Sequence, residues 1–149
     1  MAQEEEIAAT RAIVLDANIL LRGVLGSRVR GLIEQYSERI IFLTPRSCVD
    51  DVHEYLPILC AQRKWEPTSA LQVLDALLTT VQVVEIGSLA DVEHEARHRI
   101  ELRDPDDWPV VALAMATSAP IWTEDTDFFG TGVATWTTQT VEIYLAGNT

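Results

Sequence analysis

The sequence predicts an α/β fold, a three-layer α/β/α sandwich around a mostly parallel sheet of four or five strands. Three observations predict it. Short, uniformly apolar runs such as Ile13-Val14-Leu15 and Ile40-Ile41-Phe42-Leu43 lack the alternation of half-exposed strands and suit strands buried on both faces. These runs alternate with longer segments of helical periodicity, the pattern of parallel strands joined by crossover helices. A chain of 149 residues that is 48% hydrophobic also suits one domain with a real core. Residues 1–10 are expected to be an acidic lead-in, and residues 11–149 a single domain.

The elements follow in order. Ala12-Ile13-Val14-Leu15 is the first strand and ends at Asp16. A short helix from about Asn18 to Val24 breaks at Gly26. Ser27 can cap a second helix to about Tyr36, with Val29, Leu32, Ile33 and Tyr36 as its apolar stripe. Ile40 to Leu43 is the second strand. Thr44-Pro45 reads as a helix start, a capping hydroxyl followed by proline in the first turn. That helix should reach about Lys64 with Val49, Val52, Leu56, Leu59 and Cys60 inward, and Pro57 should kink it. An amphipathic helix over 68–79 precedes a third strand, Val81 to Val84, and a charged surface helix over 89–101. A helix over 106–117, a fourth strand Pro120 to Thr123, a short fifth strand Ala134 to Thr137 and a helix near 139–145 complete the chain. No internal repeat, low-complexity tract or linker interrupts it.

Composition limits the partners. Eleven basic against twenty-three acidic residues give a net charge of −12, and Lys64 is the only lysine. Such a chain is not drawn to nucleic acid as a whole, so handling nucleic acid would require metal ions and local arginine clusters. Arg22, Arg28 and Arg30 after the first strand, and Arg97, Arg99 and Arg103 later, could grip phosphate, although arginines on amphipathic helices equally serve solubility. Trp108 and Trp122 could stack bases, but their apolar surroundings suit core packing better. Cys48 and Cys60 fall twelve residues apart on one expected helix, about 18 Å along its axis. That exceeds the roughly 7 Å a disulfide allows, and unpaired thiols fit a reducing cytoplasm. The start Met1-Ala2-Gln3-Glu4-Glu5-Glu6 is unlike a secretory signal, and no apolar run reaches the ~18 residues of a membrane span.

The chemistry concentrates in carboxylates. Arg103-Asp104-Pro105-Asp106-Asp107-Trp108-Pro109 leads into an apolar helix, and Thr123-Glu124-Asp125-Thr126-Asp127 follows the fourth strand. Like charges gathered where buried elements begin and end are costly, and a divalent cation would relieve the repulsion. In parallel sheets, ligands bind beyond the carboxyl ends of the strands. Asp16 ends the first strand, and Asp125 and Asp127 lie past the fourth, so both groups reach one edge if the strands are parallel. Asp107 extends the inward stripe of Val110, Val111, Ala114 and Met115 by one turn, at the helix end that faces the same edge. Asp104 can reach the same region, and Asp106, rotated by about 100°, is expected to cap the helix. Glu54 shares a helix face with Asp50, Ile58 and Ala61, a face expected to border the core. Converging oxygen ligands of this kind suit Mg²⁺ or Mn²⁺, which can activate water and stabilise charge on a phosphodiester. Each acid alone has a plain structural explanation; only their joint placement favours function.

Other motifs carry less. His94-Glu95-Ala96-Arg97-His98 fits a zinc-peptidase pattern, but the helix's apolar stripe is Leu89, Val92, Ala96 and Ile100, which turns both histidines to solvent. Haloacid-dehalogenase-like phosphatases need a second Asp where Asn18 stands, and both they and response-regulator receivers need a lysine that this sequence lacks at the required place. Gly130-Thr131-Gly132 is a turn that needs no phosphate.

Ile13-Val14-Leu15-Asp16-Ala17-Asn18, then Glu54, then Asp104-Pro105-Asp106-Asp107-Trp108-Pro109-Val110-Val111-Ala112-Leu113-Ala114, then Ile121-Trp122-Thr123-Glu124-Asp125-Thr126-Asp127-Phe128-Phe129 resembles the PIN-domain nucleases over roughly residues 11 to 145. The subgroup is the small prokaryotic PIN proteins, many of them toxins of toxin–antitoxin pairs. The resemblance implies a PIN-like strand order of 3-2-1-4-5 and Mg²⁺- or Mn²⁺-dependent endoribonuclease activity. It also implies an RNA substrate, a small antitoxin protein as partner, and room for a homodimer, with no membrane. By position, Asp16, Glu54, Asp107 and Asp125 become the catalytic, metal-binding quartet, Asp104 and Asp127 auxiliary acids, and Asn18 and Thr123 orienting groups behind the ligands. On the helix that carries Glu54, Asp50 or Asp51 is the counterpart if the register slips. A catalytically inactive PIN-like binding module is the alternative to an enzyme.

Overall fold

The computed structural model describes residues 11–147, so the expected acidic lead-in lies outside the described residues. Five strands form one sheet: β1 Arg11–Leu15, β2 Ile40–Pro45, β3 Val81–Val84, β4 Ile121–Trp122 and β5 Thr135–Trp136. Their order is β3-β2-β1-β4-β5, and every pairing is parallel. Val14 pairs with Leu43 on one side and with Ile121 on the other, so β1 is the central strand. Its Ile13, Val14 and Leu15 have no exposed surface, as a strand covered on both faces requires.

The chain runs outward from β1 to β3 and then returns across β1 to β4. Right-handed crossovers in opposite directions place helices on opposite faces of the sheet. The outward leg carries α1 Ala17–Leu25, α2 Arg28–Tyr36, α3 Arg46–Arg63 and α4 Pro67–Leu77, with α1 packed against the other three. The return leg carries α5 Ala90–Ile100 and α6 Trp108–Thr117, and α7 Val141–Ala146 follows β5. The β1/β4 boundary is thus the switch point, where the helices that follow the two strands diverge and leave a crevice at the strands' carboxyl ends.

Local chemistry differs from expectation in four places. Thr44 does not cap α3: β2 continues through Pro45, and the buried Thr44 hydroxyl donates to Leu15 O at 2.8 Å, tying β2 to the end of β1. Ser27 makes no side-chain cap bond, because it already has helical backbone angles. Asp106 does not cap the helix that follows it. Pro105 holds Asp104 extended, the chain makes a 3₁₀ turn over Pro105–Asp107, and Asp104 Oδ1 caps that turn from Asp106 N at 3.2 Å. Finally, α6 has no single inward stripe. Trp108 through Ala114 are all buried because α6 lies on β1, β2 and β4 while α5 covers its other side, and Met115 is only partly buried.

Among the described residues, no helix is long and apolar enough to cross a membrane. Cys48 and Cys60 both lie on α3, free and buried, as their spacing requires.

Candidate functional site

Asp16 stands at the switch point, 6% exposed. Its Oδ1 accepts from Ala17 N at 2.7 Å, and its Oδ2 accepts from Asn18 Nδ2 and from the Thr123 hydroxyl, each at 2.8 Å. Three donors fill all but about one of the roughly four lone-pair positions of a carboxylate. The Cys48 thiol lies 4.0 Å from Oδ1. Burial raises the Asp16 pKa, the Thr123 and Ala17 bonds lower it, and the charges of Asp125 and Asp51 raise it again. Burial and then Asp16 push the Cys48 thiol well above its ordinary value, so Cys48 is a neutral neighbour.

Thr123 and Asn18 stitch β4 to β1 at this point. The buried Thr123 hydroxyl, besides donating to Asp16, accepts from Asp125 N at 2.9 Å and from Asn18 Nδ2 at 3.2 Å. Asn18 Oδ1 accepts from Glu124 N at 3.1 Å, and Glu124 Oε2 accepts from Thr138 N at 2.7 Å. Each polar atom of Asn18 and Thr123 thereby either fixes Asp16 or fixes the backbone that carries Asp125.

Asp107 enters from the return leg, half-buried at the start of α6. Burial raises its pKa to about 7, followed by the charges of Asp16, Asp104, Asp125 and Asp127. Acids from three separate stretches of sequence therefore share one field. The segment after β4 is a 3₁₀ turn over Thr126–Phe128, capped by Asp125 Oδ1 from Asp127 N at 2.9 Å. Arg103, just ahead of Asp104, clasps that turn: its Nη1 donates to Asp127 O at 3.0 Å and to the carbonyls of Thr126 and Phe129. Gly130 follows with φ +90°, where an added Cβ would stand 3.0 Å from Arg103 Nη2. The clasp joins the two acidic segments, and nothing in the spacing of Arg103 signalled it.

On α3 the structure separates the candidate acids. The face shared by Glu54, Asp50, Ile58 and Ala61 is exposed throughout and does not border the core, because Cys48, Val49, Val52, Leu56 and Cys60 supply the buried face. Asp51, which is also exposed, is the α3 acid whose charge acts on Asp16. Partial burial raises its pKa, and the charges of Glu54, Asp50, Asp106 and Asp104 raise it further. The Asp51 charge in turn raises Asp16.

The donor chemistry fits a hard dication, since the converging groups are carboxylate oxygens whose repulsion such an ion would relieve. Among the described residues, however, no group of three or more His, Cys, Asp or Glu side chains is placed to hold a metal ion. The carboxylates share an edge without closing into a ligand set. His94 and His98 point to solvent on α5, and Leu89, Ala96 and Ile100 are buried, as their spacing predicts. Trp122 is fully buried, and Trp108 is 7% exposed beneath the Arg97 guanidinium, 4.6 Å from its ring centre. Neither tryptophan is free to stack a base.

A family model described as PIN domain matches residues 14–146. The fold is shared with VapBC2 from Rickettsia felis, solved bound to a DNA fragment from its promoter. That match has 12% identity and a TM-score of 0.67, and it covers 85% of this chain and 98% of the other. It is also shared with PAE2754 from Pyrobaculum aerophilum, at 17% identity and a TM-score of 0.69, covering 93% of this chain and 91% of the other. No curated protein sequence matches the chain.

Proposed function

The chain belongs to the PIN-domain family, a family of nucleases, and from that premise we propose that it is a metal-dependent endoribonuclease. The observation that carries the proposal is the convergence of Asp16, Asp107 and Asp125, expressed in an Asp107 carboxyl raised to about 7 by burial and by its acidic neighbours. Asp16, Asp107 and Asp125 would hold Mg²⁺ or Mn²⁺, and Asp51 is favoured over Glu54 as the acid from α3 because it couples directly to Asp16. Asp104 and Asp127 complete the negative field around Asp107.

A bound dication would supply charge neutralisation and Lewis acidity toward water and a phosphate oxygen. The chain's own residues set the stage for it. Asn18 and Thr123 hold Asp16 in one orientation, so one ligand is fixed before any ion arrives. Asp107, with its pKa raised to about 7, is only partly ionised at neutral pH without a cation, and a bound cation would favour its ionised form.

The same fold in VapBC2 from Rickettsia felis supports a further reading of this chain as the toxin of a toxin–antitoxin pair, with a small antitoxin as partner. The competing reading, a catalytically inactive PIN-like binding module, draws on the acids standing short of a closed ligand set. One experiment separates them. Purified protein is incubated with single-stranded RNA in Mn²⁺ or EDTA, with Asp107→Asn in parallel. Mn²⁺-dependent cleavage that the variant loses is the expected result. Equal cleavage by both proteins would sink the site, and no cleavage across a broad RNA panel would favour the binding module.

A further inference from the structure

In a chain of net charge −12, six of the eleven cations are committed to hydrogen-bond or ion-pair partners, and Arg39 lies over the Tyr36 ring. Arg11 and Arg30 donate to backbone carbonyls, Arg103 clasps the turn after β4, and Arg46, Arg97 and Arg99 pair with Glu85, Glu93 and Glu95. Arg22 and Arg63 have no carboxylate partner among the described residues, and Arg28 reaches only Glu142, at 3.6 Å with both side chains largely in water. All three line one open cavity of about 520 Å³ between α1, α2, the end of α3 and Thr138.

That cavity lies close to the acidic edge along two routes. Arg22 is one turn beyond Asn18 on the same face of α1, about 6 Å farther along the axis. Thr138 in the cavity wall is bonded through Glu124 to Asn18. A second, independent feature adjoins it. Trp65, 47% exposed, has the Arg63 guanidinium 5.7 Å from its ring centre. An aromatic ring beside arginines is a platform for an unpaired base.

We infer that the Arg22–Arg28–Arg63 cavity binds a backbone phosphate of single-stranded RNA a few nucleotides from the linkage at the acidic edge, with Trp65 stacking a base of that strand. The assignment rests on the ribonuclease reading of the acidic edge and gives it a substrate track. It also explains how an acidic protein can hold a polyanion: three guanidiniums without strong carboxylate partners line one cavity, and Arg22 among them stands one helical turn beyond Asn18. Arginine forks suit phosphate oxygens, and Leu21, Leu25 and Val29 supply the apolar part of the cavity lining.

The test is fluorescence anisotropy with a short labelled single-stranded RNA in EDTA across a salt series. It compares the wild type, the double variant Arg22→Ala/Arg63→Ala, Trp65→Ala, and the control Arg46→Ala, whose partner Glu85 is remote from the cavity. The double variant should bind at least tenfold more weakly and flatten the slope of log K against log salt by about 0.7, from the loss of one neutralised phosphate. Trp65→Ala should weaken binding about tenfold without changing the slope, and Arg46→Ala should match the wild type. Unchanged affinity and slope in the double variant would overturn the cavity assignment. If the wild type still cleaved the RNA in Mn²⁺, the nuclease reading would survive that result; neither binding nor cleavage by the wild type would defeat both. Tighter binding of an oligoglutamate peptide than of RNA, lost in the double variant, would assign the cavity to an acidic protein segment and overturn the RNA assignment.

Discussion

Asp107→Asn should make the protein more stable while removing its proposed function, and the size of the gain follows from the site. In the fold, Asp107 holds its proton up to about pH 7, against 3.8 for an ordinary aspartate. Between those values the folded state binds more protons than the unfolded chain, so stability falls as pH rises through the window and levels off above it. The full shift corresponds to about 4 kcal/mol, and solvent screening of a half-exposed carboxyl reduces this to about 2 kcal/mol. Asparagine keeps the shape and carries no charge. At pH 8 in EDTA, Asp107→Asn should therefore gain about 2 kcal/mol, or roughly 4–8 °C in Tm for a chain of this size. The gain should shrink to about half by pH 5.5, where the unfolded carboxyl is ionised and the folded one still protonated. Thermal unfolding followed by circular dichroism from pH 5.5 to 8.5 measures it, staying above the pI of about 4.5. Mn²⁺ should then narrow the gap, since a concentration of 100 times Kd stabilises the wild type by about 2.7 kcal/mol and a variant that binds tenfold more weakly by about 1.4 kcal/mol. A variant less stable than the wild type at pH 8, or a Tm difference independent of pH, would refute the claim that Asp107 sits among unneutralised acids.

Three further outcomes test the site's scaffolding. Thr123→Val removes a buried hydroxyl that serves Asp16, Asp125 N and Asn18, and should cost about 1–3 kcal/mol in urea denaturation at pH 7; a neutral result would contradict its role as the hub. Arg103→Ala should cost about 1 kcal/mol and speed amide exchange across residues 126–130 more than elsewhere, since its bonds to that turn are solvent-exposed. Asp51→Asn should weaken Mn²⁺ binding several-fold while Glu54→Gln leaves it within about twofold; the reverse order would restore Glu54 to the site.

The sheet was legible because its strands are buried on both faces, and an unbroken apolar run such as Ile13-Val14-Leu15 has few other structural meanings. Given parallel strands, Asp16 and Asp125 had to meet at one edge, and they do. Asp107 lies in the field of Asp16 and Asp125, but not on the inward stripe the spacing suggested: α6 is buried all round, and the position of Asp107 follows from where the helix begins. The caps were misread because Pro105 and Pro45 impose extended backbone that periodicity does not register, which moved the capping role from Asp106 to Asp104 and lengthened β2. Glu54 and Asp51 differ by less than one helical turn, and only packing decides which of them faces Asp16. The Arg103 clasp and the pairing of Arg22 with Arg63 join residues far apart in the chain, which spacing cannot relate.

The central claim is that carboxylates from β1, α6 and the turn after β4 act together on one dication. Calorimetric titration of Mn²⁺ into the wild type and Asp107→Asn at pH 7.5 tests it most directly. Saturable binding by the wild type, weakened at least tenfold (about 1.4 kcal/mol) in the variant, is the predicted result. Equal affinity in the two proteins, or no binding by the wild type, would contradict it.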